Sequence, residues 1–315
     1  MRYLEMALGF AAIGFVVANA AISLVTVLLW RAVRRVRRSS GSLVLMRLLP
    51  ALGSAGLVLG VILPAFLFFE PRATSERVGP ALLVFVVAAG ALVAAGLRRA
   101  IVSWLHTRRL ERSWRAAAVE SSYDGMPVRS YRVPSELPLA ALVGVFRPRL
   151  FVSDAFLDAL SADERRAVLD HEAGHLRSFD NFKRTLMRLA PDWLAFSPAG
   201  REIEAAWAVA AEEDADDHAA GPDRAHSLDL GSALLKASRL VPMRPAAASS
   251  FCDGAPIARR VERLLNDAPP HRGLQPTRSP RLGWIVAVLI AASFLAAPVL
   301  QTAYTMTEAA VRLLP

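Results

Sequence analysis

The sequence predicts a multi-pass α-helical membrane protein of four spans, with an α+β domain inserted between spans three and four. Three observations carry that prediction: four long apolar runs, basic blocks beside three of them, and a HEAGH helix in the one long polar stretch. The chain of 315 residues is 54% hydrophobic, too apolar for a soluble protein of this length. The excess lies in residues 6–30, 48–69, 78–97 and 282–304. Each run is long enough to cross a hydrocarbon core of ~30 Å as a helix. Ala18-Asn19-Ala20 resembles a signal-peptidase site, but the apolar run continues to Trp30 and a basic block follows, so the first run reads as an uncleaved span.

The net charge of +9 is not spread over one soluble face, which argues against nucleic acid. Arg31, Arg34, Arg35, Arg37 and Arg38 follow the first span, Arg98, Arg99, Arg108, Arg109, Arg112 and Arg115 the third, and Arg272, Arg278 and Arg281 precede the fourth. Lys/Arg-rich loops stay in the cytoplasm. Both termini are therefore expected outside a bacterial inner membrane and the long polar stretch inside, with some of these arginines at anionic headgroups. The domains are then 1–97 with three spans, 98–281 cytoplasmic, 282–304 the fourth span, and 305–315 a short outer tail. Arg47 near one end of span two is expected to snorkel, and the span prolines to kink their helices. Cys252 is the single cysteine and reads as an ordinary loop or buried thiol.

Within 98–281, residues 100–117 read as a basic helix with Trp104 and Trp114 suited to the membrane interface. Strand patterns follow at 127–133, 139–146 and 150–152, with a turn at 134–138 and a short helix over 155–160. Ser161 with Glu164 three residues on marks the start of the HEAGH helix, and Ala167, Val168, Leu169 and Leu176 supply its apolar stripe. Helices are expected over 181–189, 201–220, 228–240 and 257–265, and 266–281 reads as a proline-rich linker.

Residues four apart share a helix face, so His171 and His175 can aim both imidazoles at one metal ion and leave Glu172 to act on a water. Gly174 costs that helix ~1 kcal/mol relative to Ala, so propensity does not explain its presence. Two solvated histidines are the bland alternative. A catalytic site of this type takes a third protein ligand. The 201–220 helix offers Glu202, Glu204, Glu212, Glu213, Asp214, Asp216, Asp217 and His218, with Glu212/Asp216 and Glu213/Asp217 each on one face. A solvated acidic face would explain the cluster equally well.

The run Glu212-Glu213-Asp214-Ala215-Asp216, after HEAGH, resembles the E-x-x-A/C-D signature of the gluzincin membrane peptidases. These are the BlaR/MecR antirepressor family and its relatives, the HtpX and CAAX prenyl endopeptidases. The likeness spans about 133–265 and is strongest over 147–220. It implies a zincin-like metallopeptidase domain holding one Zn2+ on His171, His175 and Glu212, with Glu213 the next choice of ligand. It also implies Asp216 and Asp180 as carboxylates that steady the ligand histidines, and Glu172 as the general base. The implied function is endopeptidase cleavage of a protein on the cytoplasmic side in regulated proteolysis, the substrate a transcriptional repressor. About ten residues follow the fourth span, so the resemblance carries the peptidase half and no outer sensor domain. The strand carrying Leu139, Ala140, Ala141, Leu142, Val143 and Gly144 is a candidate to pair with substrate, with a plain core strand the equal alternative. His218 and His226 are candidates for the oxyanion, although His218 lies about 240° around the helix from Glu212. His106 and His271 read as bystanders. A zinc-binding scaffold or signalling protein without catalysis is the competing class. A transporter is disfavoured because the spans lack paired intramembrane charges.

Overall fold

In the computed structural model, residues 2–69, 79–136, 139–221, 224–240 and 254–266 are described, with 301, 302, 304–306 and 309. The fourth apolar run, the proline-rich linker, Cys252 and His271 therefore lie outside the described residues, apart from a few positions at the end of that run. Among the described residues, three helical segments are long and apolar enough to cross a membrane: Tyr3–Val33, Ser40–Phe69 and Pro80–Ala117. The first lies within α1 (Arg2–Val33). The second is α2 (Ser40–Leu57) and α3 (Leu63–Phe69), joined without a break by a π-helical turn at Val58–Ile62. Pro64 has no N–H to return to the residue 60 carbonyl, and a widened turn absorbs that loss. The third, α4 (Pro80–Ala117), runs on through the expected basic helix as one rod of 38 residues.

A four-stranded mixed sheet follows, in the order β1-β2-β4-β3. Its strands are β1 (Val119–Ser121), β2 (Ser130–Val133), β3 (Ala140–Val143) and β4 (Arg149–Ser153). β2 and β4 run parallel, while β1 and β3 pair antiparallel on the outside. The apolar run at 150–152 is buried on both faces, as a central strand requires. Leu150 and Val152 pack toward α6 (Ala162–Arg177) and α9 (Arg224–Leu240), and Phe151 with Tyr131 packs toward Trp114 at the tail of α4. The short β1 was hidden from sequence reading by the absence of alternation.

The remaining elements are α5 (Asp154–Ala159), α7 (Asp180–Leu189), a 3-10 turn (Trp193–Phe196), α8 (Pro198–Ala220) and α10 (Gly254–Asn266). The capping box predicted for the HEAGH helix is formed. The Ser161 N–H donates to Glu164 Oε2 at 2.7 Å, and the Glu164 N–H donates to Ser161 Oγ at 3.2 Å. Gly174 has a packing reason. A Cβ there would meet the Ala215 Cα at 3.1 Å and His218 Cβ at 3.2 Å, so its absence lets α6 and α8 approach closely enough to share a site.

Arg47 departs from expectation. It does not snorkel but lies buried, 1% exposed, pairing with Asp192 at 2.9 Å and Glu204 at 2.6 Å and donating to the Met187 carbonyl at 3.1 Å. Two carboxylates and a carbonyl replace the water that a snorkelling head would have sought. In the basic loop after α1, Arg37 reaches Glu213 at 2.9 Å, and nearby Ser40 donates to Asp214 at 2.5 Å.

Candidate metal centre

His171 and His175 lie one turn apart on α6, with ring centroids 4.8 Å apart and planes nearly perpendicular. Their Nε2 atoms face the same carboxylate from α8: His171 Nε2 lies 3.6 Å from Glu212 Oε2, and His175 Nε2 3.7 Å from Glu212 Oε1. One donor atom from each of the three residues falls within 4.8 Å of the others, so the group can hold a metal ion. A tetrahedral zinc with bonds of about 2.05 Å would place its ligand atoms about 3.3 Å apart, a few tenths of an ångström closer than the two histidine–Glu212 separations. Contraction of that size is within side-chain freedom.

The other ring nitrogens are held by separate carboxylates. His171 Nδ1 lies 3.0 Å from Asp216 Oδ1, and His175 Nδ1 lies 2.8 Å from Asp180 Oδ2. An Nδ1–H donated to a carboxylate fixes the tautomer with a lone pair on Nε2, the form that binds metal. The electrostatics favour positive charge at this point. Burial alone would depress His171, but Asp216 and Glu212 more than offset it and raise its pKa to about 9. Burial likewise works to raise Glu212, yet His171, Arg260 and His175 hold it down at about 2. A cation in the site replaces the proton that these carboxylates would otherwise keep on His171.

Glu172 points from the same helix and is buried, and burial pushes its carboxyl above the ordinary range despite the two histidines. β3 is the sheet edge nearest α6. Ser153 N–H donates to the Leu139 carbonyl at 2.8 Å, so alternation turns the backbone groups of Ala140 and Leu142 away from β4 and toward the site. Asn181 on α7 donates to the carbonyls of Leu142 and Gly144, both at 3.0 Å, and ties the end of this edge to the helix that carries Asp180.

Glu213, the alternative ligand, points elsewhere, toward Arg37 and Arg259. His218 is on the exposed side of α8, where burial and Arg177 lower its pKa, and His226 lies on α9; neither belongs to the metal-binding group. Sequence reading missed Arg260. From α10 it donates through Nε and Nη2 to both oxygens of Asp216 at 2.9 and 2.6 Å, and its Nη1 lies 3.0 Å from Glu212 Oε2. The signal was present: Arg260 falls on the same helical face as Ile257, Val261 and Leu264, and an arginine in an apolar stripe demands a buried partner.

The sequence model of one family, described as BlaR1 peptidase M56, matches residues 72–264, well over half of the chain. The chain belongs to the BlaR1 peptidase M56 family. Its match begins just before α4 and ends within α10, so it takes in the third span, the sheet, both halves of the metal centre and Arg260. Among curated proteins none matches the chain. Together with the three apolar helices, membership makes this a membrane metallopeptidase of the BlaR1 type, and a metallopeptidase implies both a metal ion and a protein substrate.

Proposed function

We propose that the chain is a zinc endopeptidase of the bacterial inner membrane that cleaves a protein on the cytoplasmic side in regulated proteolysis. A single observation carries the reading. Two imidazole Nε2 atoms and the Glu212 carboxylate converge on one point, each ring fixed from behind by its own carboxylate, with a buried acid beside them. His171, His175 and Glu212 would hold the ion, and the donor set of two nitrogens and one oxygen suits zinc. A zinc ion there supplies Lewis acidity toward a water and the scissile carbonyl.

The chain's own residues do the remaining work. Glu172, pushed by burial toward an affinity for protons nearer neutrality, accepts a proton from the attacking water and returns it to the leaving amine. The outward backbone groups of Ala140, on the part of the β3 edge that Asn181 does not occupy, align an extended substrate as an added strand. The positive-inside distribution of arginines supports a cytoplasmic site with both termini outside, and the family resemblance supports a transcriptional repressor as substrate.

Glu172→Gln tests the assignment against a non-catalytic zinc-binding scaffold. The variant is expected to keep its metal and to lose cleavage of a co-expressed substrate by a factor of about 10²–10⁴. A scaffold would lose neither metal nor phenotype. Glu212→Ala is expected to lose metal, and a normal metal content would remove Glu212 from the ligand set.

A further inference from the structure

The last carbonyls of a helix have no partner within it. At the end of α7 those carbonyls, and the irregular backbone that follows, are satisfied by side chains from each of the three described spans. Arg47 of α2 donates to the Met187 carbonyl at 3.1 Å. Arg99 of α4 donates to the carbonyls of Arg188 at 3.2 Å and Ala190 at 2.6 Å. Asn19 of α1 donates to the Pro191 carbonyl at 3.1 Å and accepts from the Trp193 N–H at 3.1 Å. Asn19 is fully buried, and it lies eleven residues inside the end of the first apolar run at Trp30, or ~16 Å along the helix. The close fit extends to α4, where a Cβ on Gly96 would come within 2.3 Å of the Leu189 carbonyl oxygen.

Polar side chains thus supply what water would supply to a loop at an aqueous surface. The outward side of the same segment is apolar. Phe182 and Leu189 lie on one face of α7, and Trp193 and Phe196, 43% and 55% exposed, continue past it. The outer face of α4 beside it is also apolar, with Leu97 and Ile101 exposed, and the Arg99 guanidinium lies 5.5 Å from the Phe196 ring centroid.

We propose that residues 189–196 form a re-entrant segment seated in the bilayer, with Leu189, Trp193 and Phe196 in contact with lipid. Irregular backbone is tolerated at membrane depth only where protein groups satisfy it, and here three spans do so. The occupant is lipid because the exposed face continues the lipid-facing surface of the spans. Through α7 the segment joins Asp180, and so the metal centre is anchored to an element held in the membrane. The proposal stands on the membrane assignment and not on hydrolysis.

The test uses the full-length chain in vesicles of phosphatidylcholine with phosphatidylglycerol. In a Cys252→Ser background, single cysteines replace Leu189, Trp193 or Phe196 in turn and carry a nitroxide. Val87→Cys on the exposed face of α4 gives the lipid reference and Glu120→Cys on β1 the aqueous one. The labels are expected to collide with oxygen as the Val87 label does, and to be shielded several-fold from a water-soluble nickel chelate relative to the Glu120 label. Nickel accessibility matching Glu120 would overturn the proposal. Shielding from both colliders would also overturn it, because a protein surface would then be the occupant. Three positions keep the test decisive if one variant fails to fold, and the readout is independent of whether the chain cleaves any substrate.

Discussion

Arg260 binds no metal, yet its guanidinium decides the charge behind the site. Asp216 alone would be a buried anion beside a second carboxylate, Glu212. Bidentate pairing with Arg260 leaves Asp216 ionised and oriented on His171 Nδ1. Removing an outer partner of a metal ligand typically costs ten- to a hundredfold in metal affinity or activity. Arg260→Ala is therefore expected to weaken metal binding by about 10- to 100-fold, measured by competition with a chromogenic chelator. Arg260→Lys should recover only part of the loss, since an ammonium cannot bridge both oxygens of Asp216. Unchanged affinity in both variants would reduce Arg260 to packing. The two histidines were legible in sequence because helical spacing places them on one face, whereas spacing left Glu212/Asp216 and Glu213/Asp217 equal and only the family resemblance chose between them. Arg260 showed only as an arginine in an apolar stripe; its partners could not be named, because Asp216 lies 44 residues away and only the folded packing of α10 on α8 brings the two together.

At the scale of elements, α6 is the part most fully legible and its cap can be titrated. Burial works to raise the Glu164 carboxyl, but hydrogen bonds from Lys236, Ser232 and the Ser161 backbone outweigh it and hold its pKa down at about 2. A carboxyl with a depressed folded pKa stabilises above its unfolded value, and that contribution is lost as pH falls through the folded one. The stabilisation is thus complete above about pH 4.5 and fades toward pH 2. The Tm gap between wild type and Glu164→Gln should be full at pH 6 and narrower at pH 3; a gap independent of pH would show that the charge contributes nothing. β3 is stitched differently, since Asn181 ties its outer edge to α7. Asn181→Ala should raise KM for a peptide substrate while metal content stays normal, because the edge that aligns substrate is loosened and the ligands are not. Metal loss in this variant would instead make Asn181 a support of the His175–Asp180 pair. The strand itself was readable from its apolar run, but its position at the sheet edge was not, because order within a mixed sheet depends on long-range pairing.

For the whole molecule, the sequence suggests a soluble block at residues 98–281, long enough for one compact domain, between spans three and four. The folded chain is more closely interlocked. Trp30 donates to Glu202 at 2.8 Å, Arg47 pairs with Glu204 and Asp192, Arg37 with Glu213, and Ser40 with Asp214. All but Asp192 sit on α8, the helix that also carries Glu212 and Asp216, so the α1–α2 hairpin braces the metal-bearing helix along most of its length. Neither half of these pairs names its partner in sequence, because an arginine and an acid far apart in the chain each look like surface charge until both are seen together. Deleting residues 1–97 would leave Asp192 buried without its arginine and remove Asn19 and Arg47, two of the three side chains that satisfy the end of α7 and the turn after it. Breaking a buried pair by removing one partner typically costs about 3–5 kcal/mol, a large share of a domain's stability. The fragment 98–281 is accordingly expected to aggregate or to hold far less than one metal per chain, whereas the full-length chain in detergent holds one. A monomeric fragment with a full complement of metal would show that the spans only anchor the peptidase. If the fragment fails as expected, any signal that shifts α1 against α2 has a direct mechanical route, through Arg37 and Arg47, to the helix that presents Glu212.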